Sequence, residues 1–171
     1  MMQHKIVIAN SGFAYTGKST SIRYVFELLS SRYHVIEPIN GYNPNEDIKA
    51  IIEIPQSDGH MVKVGIESQG DPSSRQMDSI NYFINKDCEI ILVACRIKGT
   101  TKDAVINLCN NDWQVIWFKN SIMKVDVANQ SSTSTPPLRT QDARLQERLS
   151  RDYAFYVASL IERLVLTGGI I

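Results

Sequence analysis

The sequence predicts an α/β protein with a mainly parallel β-sheet, helices on both faces of that sheet and one antiparallel hairpin strand. Short apolar runs rich in β-branched residues alternate with stretches of helical periodicity, which is the pattern of a parallel sheet joined by crossover helices. The run 88–95 is apolar almost throughout, as expected of a central strand covered on both faces. Two further β-rich runs flank a short turn and predict the antiparallel hairpin.

In the first half of the chain, apolar residues recur at helical spacing after the first strand. They predict a helix that packs this face on the sheet: Ile22, Val25, Phe26 and Leu29. The hairpin turn contains the turn-forming pair Asp58-Gly59, and Pro38 closes the strand before the hairpin. The predicted bounds are strand 5–9, helix 18–31, strand 33–37 and hairpin strands 48–54 and 61–66.

In the second half, helices and strands alternate, and the chain ends in one long helix. The predicted bounds are helix 73–85, strand 88–95, helix 102–110, strand 113–118 and helix 140–166. The long helix should pack through an apolar stripe of Leu145, Leu149, Tyr153, Tyr156, Leu160 and Leu164, and Gly168-Gly169 should end it. Residues 126–137 are polar and low in complexity, which predicts a mobile loop.

The composition is that of an ordinary globular chain, with 171 residues, 43% hydrophobic, 21% charged and a formal net charge of zero. This length predicts a single domain over 1–171. Zero net charge gives no strong signal for nucleic-acid binding, which needs clustered Lys and Arg. No apolar run approaches the ~20 residues of a membrane span. Because Met1 to His4 lead directly into strand, we expect a cytoplasmic protein with no signal peptide and no membrane contact.

The cysteines indicate packing rather than chemistry. Cys88, Cys95 and Cys109 are odd in number, and their spacing matches no zinc or C-x-x-C motif. We therefore interpret them as small buried hydrophobic residues.

The stretch from Gly12 to Ser19 predicts a phosphate-binding loop. It reads Gly-Phe-Ala-Tyr-Thr-Gly-Lys-Ser, the pattern G-x-x-x-x-G-K-[ST], between a predicted strand and a predicted helix. Its glycines let the loop curl, so that successive backbone N–H groups point inward and form an anion-binding nest. The helix that follows adds the positive end of its dipole.

This stretch resembles the Walker A loop of the P-loop NTPase superfamily, over residues 5–29. The resemblance implies a three-layer P-loop fold and Mg²⁺-dependent binding of a nucleoside triphosphate. It implies that Lys18 bridges the β- and γ-phosphates and that the Ser19 hydroxyl ligates Mg²⁺. The nucleotide-binding residues that it implies are Gly12, Phe13, Ala14, Tyr15, Thr16, Gly17, Lys18, Ser19 and Thr20.

A phosphate loop also needs an acid for the Mg²⁺ shell, and in P-loop proteins this acid ends a strand beside the loop strand. Glu67 ends the run 61–66, and Glu67-Ser68-Gln69-Gly70 resembles the D-x-x-G switch of small GTPases. The resemblance therefore implies a metal and catalytic role for Glu67. Asp71 follows where that pattern has a water-orienting glutamine. Asp71 is either a catalytic carboxylate or an N-cap before Pro72.

The sequence lacks the guanine-recognition signals of GTPases. No N-K-x-D follows either later strand, and the loop 38–47 has no threonine to sense a γ-phosphate. ATP is therefore the expected nucleotide.

Two features favour a kinase as the alternative. Glu37-Pro38 ends the second strand, where many small P-loop kinases place an acid that binds the phosphoryl acceptor. Arg144 and Arg148 share a face of the last helix with Arg151, as lid arginines of nucleotide kinases do. Because Glu147 lies four residues before Arg151, an ordinary solvated face is the other interpretation.

Three functions are thus open at the level of sequence. The first is an ATP hydrolase that uses Lys18, Glu67 and Asp71. The second is a kinase that transfers phosphate from ATP to a small-molecule acceptor. The third is a nucleotide-binding module without turnover.

Overall fold

The structure is a computed structural model that describes residues 5–12, 17–38, 46–70, 76–109, 113–119 and 140–169. The strands in these residues are β1 Lys5–Gly12, β2 His34–Pro38, β3 Lys49–Pro55, β4 Met61–Glu67, β5 Ile90–Arg96 and β6 Trp113–Lys119. The helices are α1 Lys18–Ser30, α2 Gln76–Asn85, α3 Thr100–Cys109 and α4 Thr140–Leu166. They agree with the predicted elements in type and order and differ by a few residues at their ends. The loop predicted at 126–137 lies outside the described residues.

The described strands form one six-stranded sheet in the order β2-β3-β4-β5-β1-β6. β1 pairs in parallel with β5 and β6, and β4 pairs in parallel with β5. β3 pairs antiparallel with both β2 and β4, so it alone runs opposite to the rest. The prediction of a mainly parallel α/β sheet with one antiparallel hairpin strand is confirmed.

Side chains alternate between the two faces of the sheet and form two cores. On one face, Ile6 and Ile8 of β1 join a cluster with apolar residues of α1 and α4. On the other face, Val7 and Ala9 join a cluster with α2 and α3. Since β1 contributes to both cores, it lies in the interior, and residues 6–10 are all fully buried. Helices therefore cover both faces, as the sequence predicts.

Helix α1 packs as predicted, whereas the predicted face of α4 is confirmed only in part. In α1 the predicted residues Ile22, Val25, Phe26 and Leu29 are buried. In α4 the predicted Leu145 and Tyr156 are exposed, by 36% and 61%. Of the predicted stripe, Leu164 is buried, and Tyr153 and Leu160 are partly buried against the core. The described side chains that α4 buries are Ser150, Ala154, Val157, Ala158, Ile161, Leu164 and Val165.

The centre of the buried face of α4 lies ~100° around the helix axis from the centre of the predicted stripe, which is the rotation produced by one residue of an α-helix. Small side chains explain the difference. Ala154 and Ala158 let α4 approach the core closely, whereas the bulky Tyr156 is left exposed. None of the helices in the described residues is both long and apolar enough to cross a membrane.

The thiols of Cys88 and Cys95 are free and buried, as expected. Burial raises the pKa of the Cys88 thiol to about 12 and that of the Cys95 thiol to about 11. Both thiols are therefore protonated at neutral pH, in keeping with a packing role. The side chain of Cys109 lies outside the described part of the chain.

Gly65→Ala should destabilise the fold by about 1–3 kcal/mol, the usual cost of overpacking. A Cβ at Gly65 would stand 2.6 Å from two ring atoms of Phe83, so β4 and α2 would have to separate. Urea unfolding of the single variants and of Gly65→Ala/Phe83→Ala measures the coupling between the two sites. We expect the double variant to cost less than the sum of the single variants. Strictly additive costs would contradict this close contact.

Candidate phosphate-binding site

The end of β1 and the start of α1 form the framework of the candidate site. Gly17, the N-cap of α1, has φ 78°, a left-handed conformation that glycine adopts without strain. No side chain caps the helix at this position. Gly17 therefore supplies no capping side chain to the N–H groups of the first turn of α1, and such groups at a helix start are those that bind anions.

Of the predicted loop residues, Gly12, Gly17, Lys18, Ser19 and Thr20 are described, and they lie at this junction. Phe13, Ala14, Tyr15 and Thr16 lie outside the described residues. Thr20 accepts a hydrogen bond from Arg23 Nη2 at 3.2 Å, within the first turns of α1.

Two buried polar side chains connect β1 with the start of α1. Asn10 is fully buried, and its Nδ2 donates a hydrogen bond to the Lys18 carbonyl oxygen at 3.4 Å. Lys18 itself is only 8% exposed, which is unusual for lysine. The Lys18 ammonium opposes the rise in the pKa of the Cys95 thiol that burial causes, which places its charge near the end of β5.

Helix α4 forms a wall of the site that sequence reasoning missed. A Cβ on Gly17 would lie 2.9 Å from Gln146 Nε2 and 3.2 Å from Ser150 Oγ, so α4 packs directly on the last loop glycine. Ser150 is 2% exposed, and its hydroxyl has no hydrogen-bond partner among the described residues. A polar Ser150 within the buried face of α4 is the only sequence signal of this contact.

The segment after β4 reaches the start of α1. The Ser19 hydroxyl donates a hydrogen bond to the Ser68 carbonyl oxygen at 2.8 Å. The Ser68 hydroxyl in turn donates to Asp47 Oδ1 at 2.9 Å and accepts from the Ile48 N–H at 2.7 Å. Ser19 is therefore held against a segment that the two residues before β3 fix in place.

The position of β4 corrects one expectation. Glu67 was expected to end a strand beside the loop strand, but β5 lies between β4 and β1. The chain bridges this gap because it crosses the end of β5 after leaving β4. A Cβ on Gly70 would lie 2.9 Å from Ala94 Cβ, so only glycine passes this close to β5 without displacement.

The Glu67 side chain lies on the α2 side of the sheet. It is 5% exposed, and its Oε2 has no hydrogen-bond partner among the described residues. Burial raises the pKa of the Glu67 carboxyl, and a hydrogen bond with Ser79 and the charge of Lys49 only partly oppose that rise. Lys49 stands opposite Glu67 across the hairpin and donates to Ser79 Oγ at 3.1 Å.

Among the described residues, the predicted acceptor and lid residues do not lie at the β1–α1 junction. Glu37 lies on the edge strand β2, paired with Lys86 at 2.8 Å and hydrogen-bonded by Tyr82. Arg144 and Arg148 are exposed, each ~160° around α4 from Gln146, which faces Gly17. Arg151 binds Glu147 at 3.1 Å and covers the Tyr24 ring, as in a solvated face. Asp71 lies outside the described residues.

No protein-family profile, curated protein or solved structure matches this chain.

Wild-type folding stability should fall as pH rises through the titration of Glu67, and Glu67→Gln should abolish this fall. Because the folded-state pKa of Glu67 is raised, the native protein binds more protons than the unfolded chain above the ordinary value of 4.5. Wild-type stability therefore falls as pH rises through that value and up to the folded-state pKa. Thermal unfolding between about pH 4 and about pH 8 should show the variant gaining relative to wild type toward high pH.

Glu37→Gln is a control of opposite sign. Hydrogen bonds from Lys86 and Tyr82 lower the pKa of the Glu37 carboxyl, so this group stabilises the fold above its ordinary pKa. Removing its charge should lower stability toward high pH. Identical pH profiles for wild type and Glu67→Gln would contradict the buried carboxyl.

Proposed function

We propose that this chain binds a Mg²⁺–nucleoside triphosphate, with ATP as the expected nucleotide, at the β1–α1 junction and hydrolyses it. One observation carries the proposal. The sequence G-x-x-x-x-G-K-S lies between the end of an interior parallel strand and the start of a 13-residue helix, with its second glycine left-handed. A phosphate-binding loop requires this combination of residues and position.

Several groups at the junction would each contribute to phosphate binding. The first-turn N–H groups of α1 would donate hydrogen bonds to phosphate oxygens. The Lys18 side chain, largely shielded from water, would neutralise phosphate charge more strongly than a lysine on the open surface. Ser150 and Gln146 of α4 pack against Gly17 and would fix its position.

The donor set near Ser19 fits a Mg²⁺ ion that arrives with the nucleotide. Mg²⁺ in such sites takes one or two protein oxygens and completes its shell with phosphates and water. The Ser19 hydroxyl is one such oxygen. The Glu67 side chain lies on the α2 side of the sheet, so Glu67 would contribute through the water shell of the ion rather than as a direct ligand. The ion would supply charge neutralisation for the phosphates. No group of three or more metal-binding side chains occurs in the described ranges.

Hydrolysis rather than transfer is the better supported outcome. Glu37, the proposed acceptor residue of a kinase, is bound by Lys86 and Tyr82, and Arg148 faces away from Gly17. Asp71 follows Gly70, which lies over the end of β5, so in sequence it is the next acid available to orient water.

Lys18→Ala should weaken Mg²⁺–ATP binding tenfold or more, about 1.4 kcal/mol or above. Isothermal titration calorimetry measures the loss, and thermal unfolding verifies that the variant is folded. Lys5→Ala, an exposed lysine at the opposite end of β1, is the matched control and should bind as wild type does. Unchanged affinity in Lys18→Ala would refute the proposed function.

The fate of the phosphoryl group distinguishes the three functions. Protein is incubated with Mg²⁺–ATP, and ADP is followed alone and with a panel of nucleosides, nucleotides and sugars. We expect release without an acceptor, and no change in turnover in Arg148→Ala. Acceptor-dependent release, slowed by Arg148→Ala, would support the kinase. Tight binding without release would support a binding module.

A further inference from the structure

Buried polar atoms without a partner concentrate at the carboxyl end of β1. Within the described residues, four buried side-chain atoms have no hydrogen-bond partner: Asn10 Oδ1, Ser150 Oγ, Tyr153 Oη and Glu67 Oε2. The Glu67 atom lies on the α2 side of the sheet, whereas the other three lie on the side that α1 and α4 cover. Because buried polar groups are almost always hydrogen-bonded, three exceptions in one place require an explanation.

Asn10 and Ser150 reach the start of α1 from the sheet and from α4. Asn10 Nδ2 donates a hydrogen bond to the Lys18 carbonyl oxygen at 3.4 Å, and Ser150 Oγ lies 3.2 Å from the position of a Cβ on Gly17. The bond to Lys18 also sets the orientation of the Asn10 amide, since only its nitrogen can donate. Its Oδ1 is therefore an acceptor that needs a donor.

Tyr153 reaches the same place from the next turn of α4. Its ring contacts the Phe118 ring edge-to-face, with centroids 5.6 Å apart, and Phe118 is the neighbour of Asn10 in the β1–β6 pair. Neighbouring strands are only about 4.8 Å apart, so Tyr153 covers the sheet close to Asn10. Burial raises the pKa of the Tyr153 hydroxyl, which therefore stays protonated and is a donor that needs an acceptor.

We propose that an internal water molecule binds between Asn10, Ser150 and Tyr153 and links the end of β1 with α4. The water donates a hydrogen bond to Asn10 Oδ1 and accepts one from each of the two hydroxyls. Three hydrogen bonds are the usual number for a buried water. The three groups select water over an ion, because a cation cannot accept the hydroxyl protons and a simple anion cannot donate to Asn10 Oδ1.

Small side chains next to these groups leave room for the water. Ala94 is the neighbour of Asn10 on β5, and Ala154 follows Ser150 by one turn on the buried face of α4. The water holds α4 against the amide that binds the Lys18 carbonyl. It therefore couples the position of α4 to the backbone at the start of α1, with or without a nucleotide.

Tyr153→Phe distinguishes a water-bound hydroxyl from an unpaired one. A water-bound hydroxyl contributes a hydrogen bond, so its loss should lower the midpoint of thermal unfolding by about 2–4 °C. An unpaired buried hydroxyl only costs desolvation, so an unchanged or raised midpoint would contradict the proposal. Tyr156→Phe is the matched control, because Tyr156 also contacts Phe118 but is 61% exposed, and this variant should unfold as wild type does.

A double variant shows whether the two hydroxyls share one ligand. Ser150→Ala and Tyr153→Phe each remove a bond to the same water. The midpoint shift of Ser150→Ala/Tyr153→Phe should therefore be smaller than the sum of the two single shifts. Additive shifts would show that the hydroxyls act independently and would count against a shared water.

A crystal structure that resolves ordered water tests the site directly. We expect one water within about 3.2 Å of Asn10 Oδ1, Ser150 Oγ and Tyr153 Oη. An empty site, or direct hydrogen bonds from these atoms to residues 13–16, would overturn the proposal. Lys18→Ala keeps the Lys18 carbonyl and should retain the water, so this proposal and the proposed nucleotide binding can fail separately.

Discussion

The burial of β1 is the constraint on which the rest of the structure depends. β1 has a strand on each side and a core on each face, and residues 6–10 have no exposed surface. A strand enclosed in this way cannot shift its register without moving apolar side chains out of both cores. Its carboxyl end is therefore a fixed point, and the start of α1 takes its position from that point through the Asn10–Lys18 hydrogen bond.

Most of the fold could be predicted because local signals determine it. Alternating apolar runs and turn residues such as Asp58-Gly59 specify strands and turns within a few residues of each other. The strand order is different, because nothing in the residues of β4 indicates that β5 inserts between β4 and β1. Pairing between distant strands depends on the whole core, which local periodicity does not report.

The candidate site, like the fold, could be predicted only in part. The loop residues and their place between β1 and α1 were predictable from one motif. The contact of α4 with Gly17 could not be predicted in this way. The bulky residues predicted a packing face that includes Leu145 and Tyr156, whereas the helix packs through Ala154 and Ala158. The burial of Glu67 beside α2 was equally hidden, since a carboxylate at a strand end is normally expected to reach solvent.

The hydrogen bond between Ser19 and Ser68 fixes the direction of the Ser19 hydroxyl proton. A carbonyl oxygen can only accept, so the hydroxyl proton of Ser19 must point toward Ser68. The lone pairs of the Ser19 oxygen then face the remaining directions, and the hydrogen atom does not stand between that oxygen and an approaching cation. Under the proposed function, the segment after β4 would thus orient the hydroxyl as an acceptor before a nucleotide binds, and this would remove part of the ordering cost of binding.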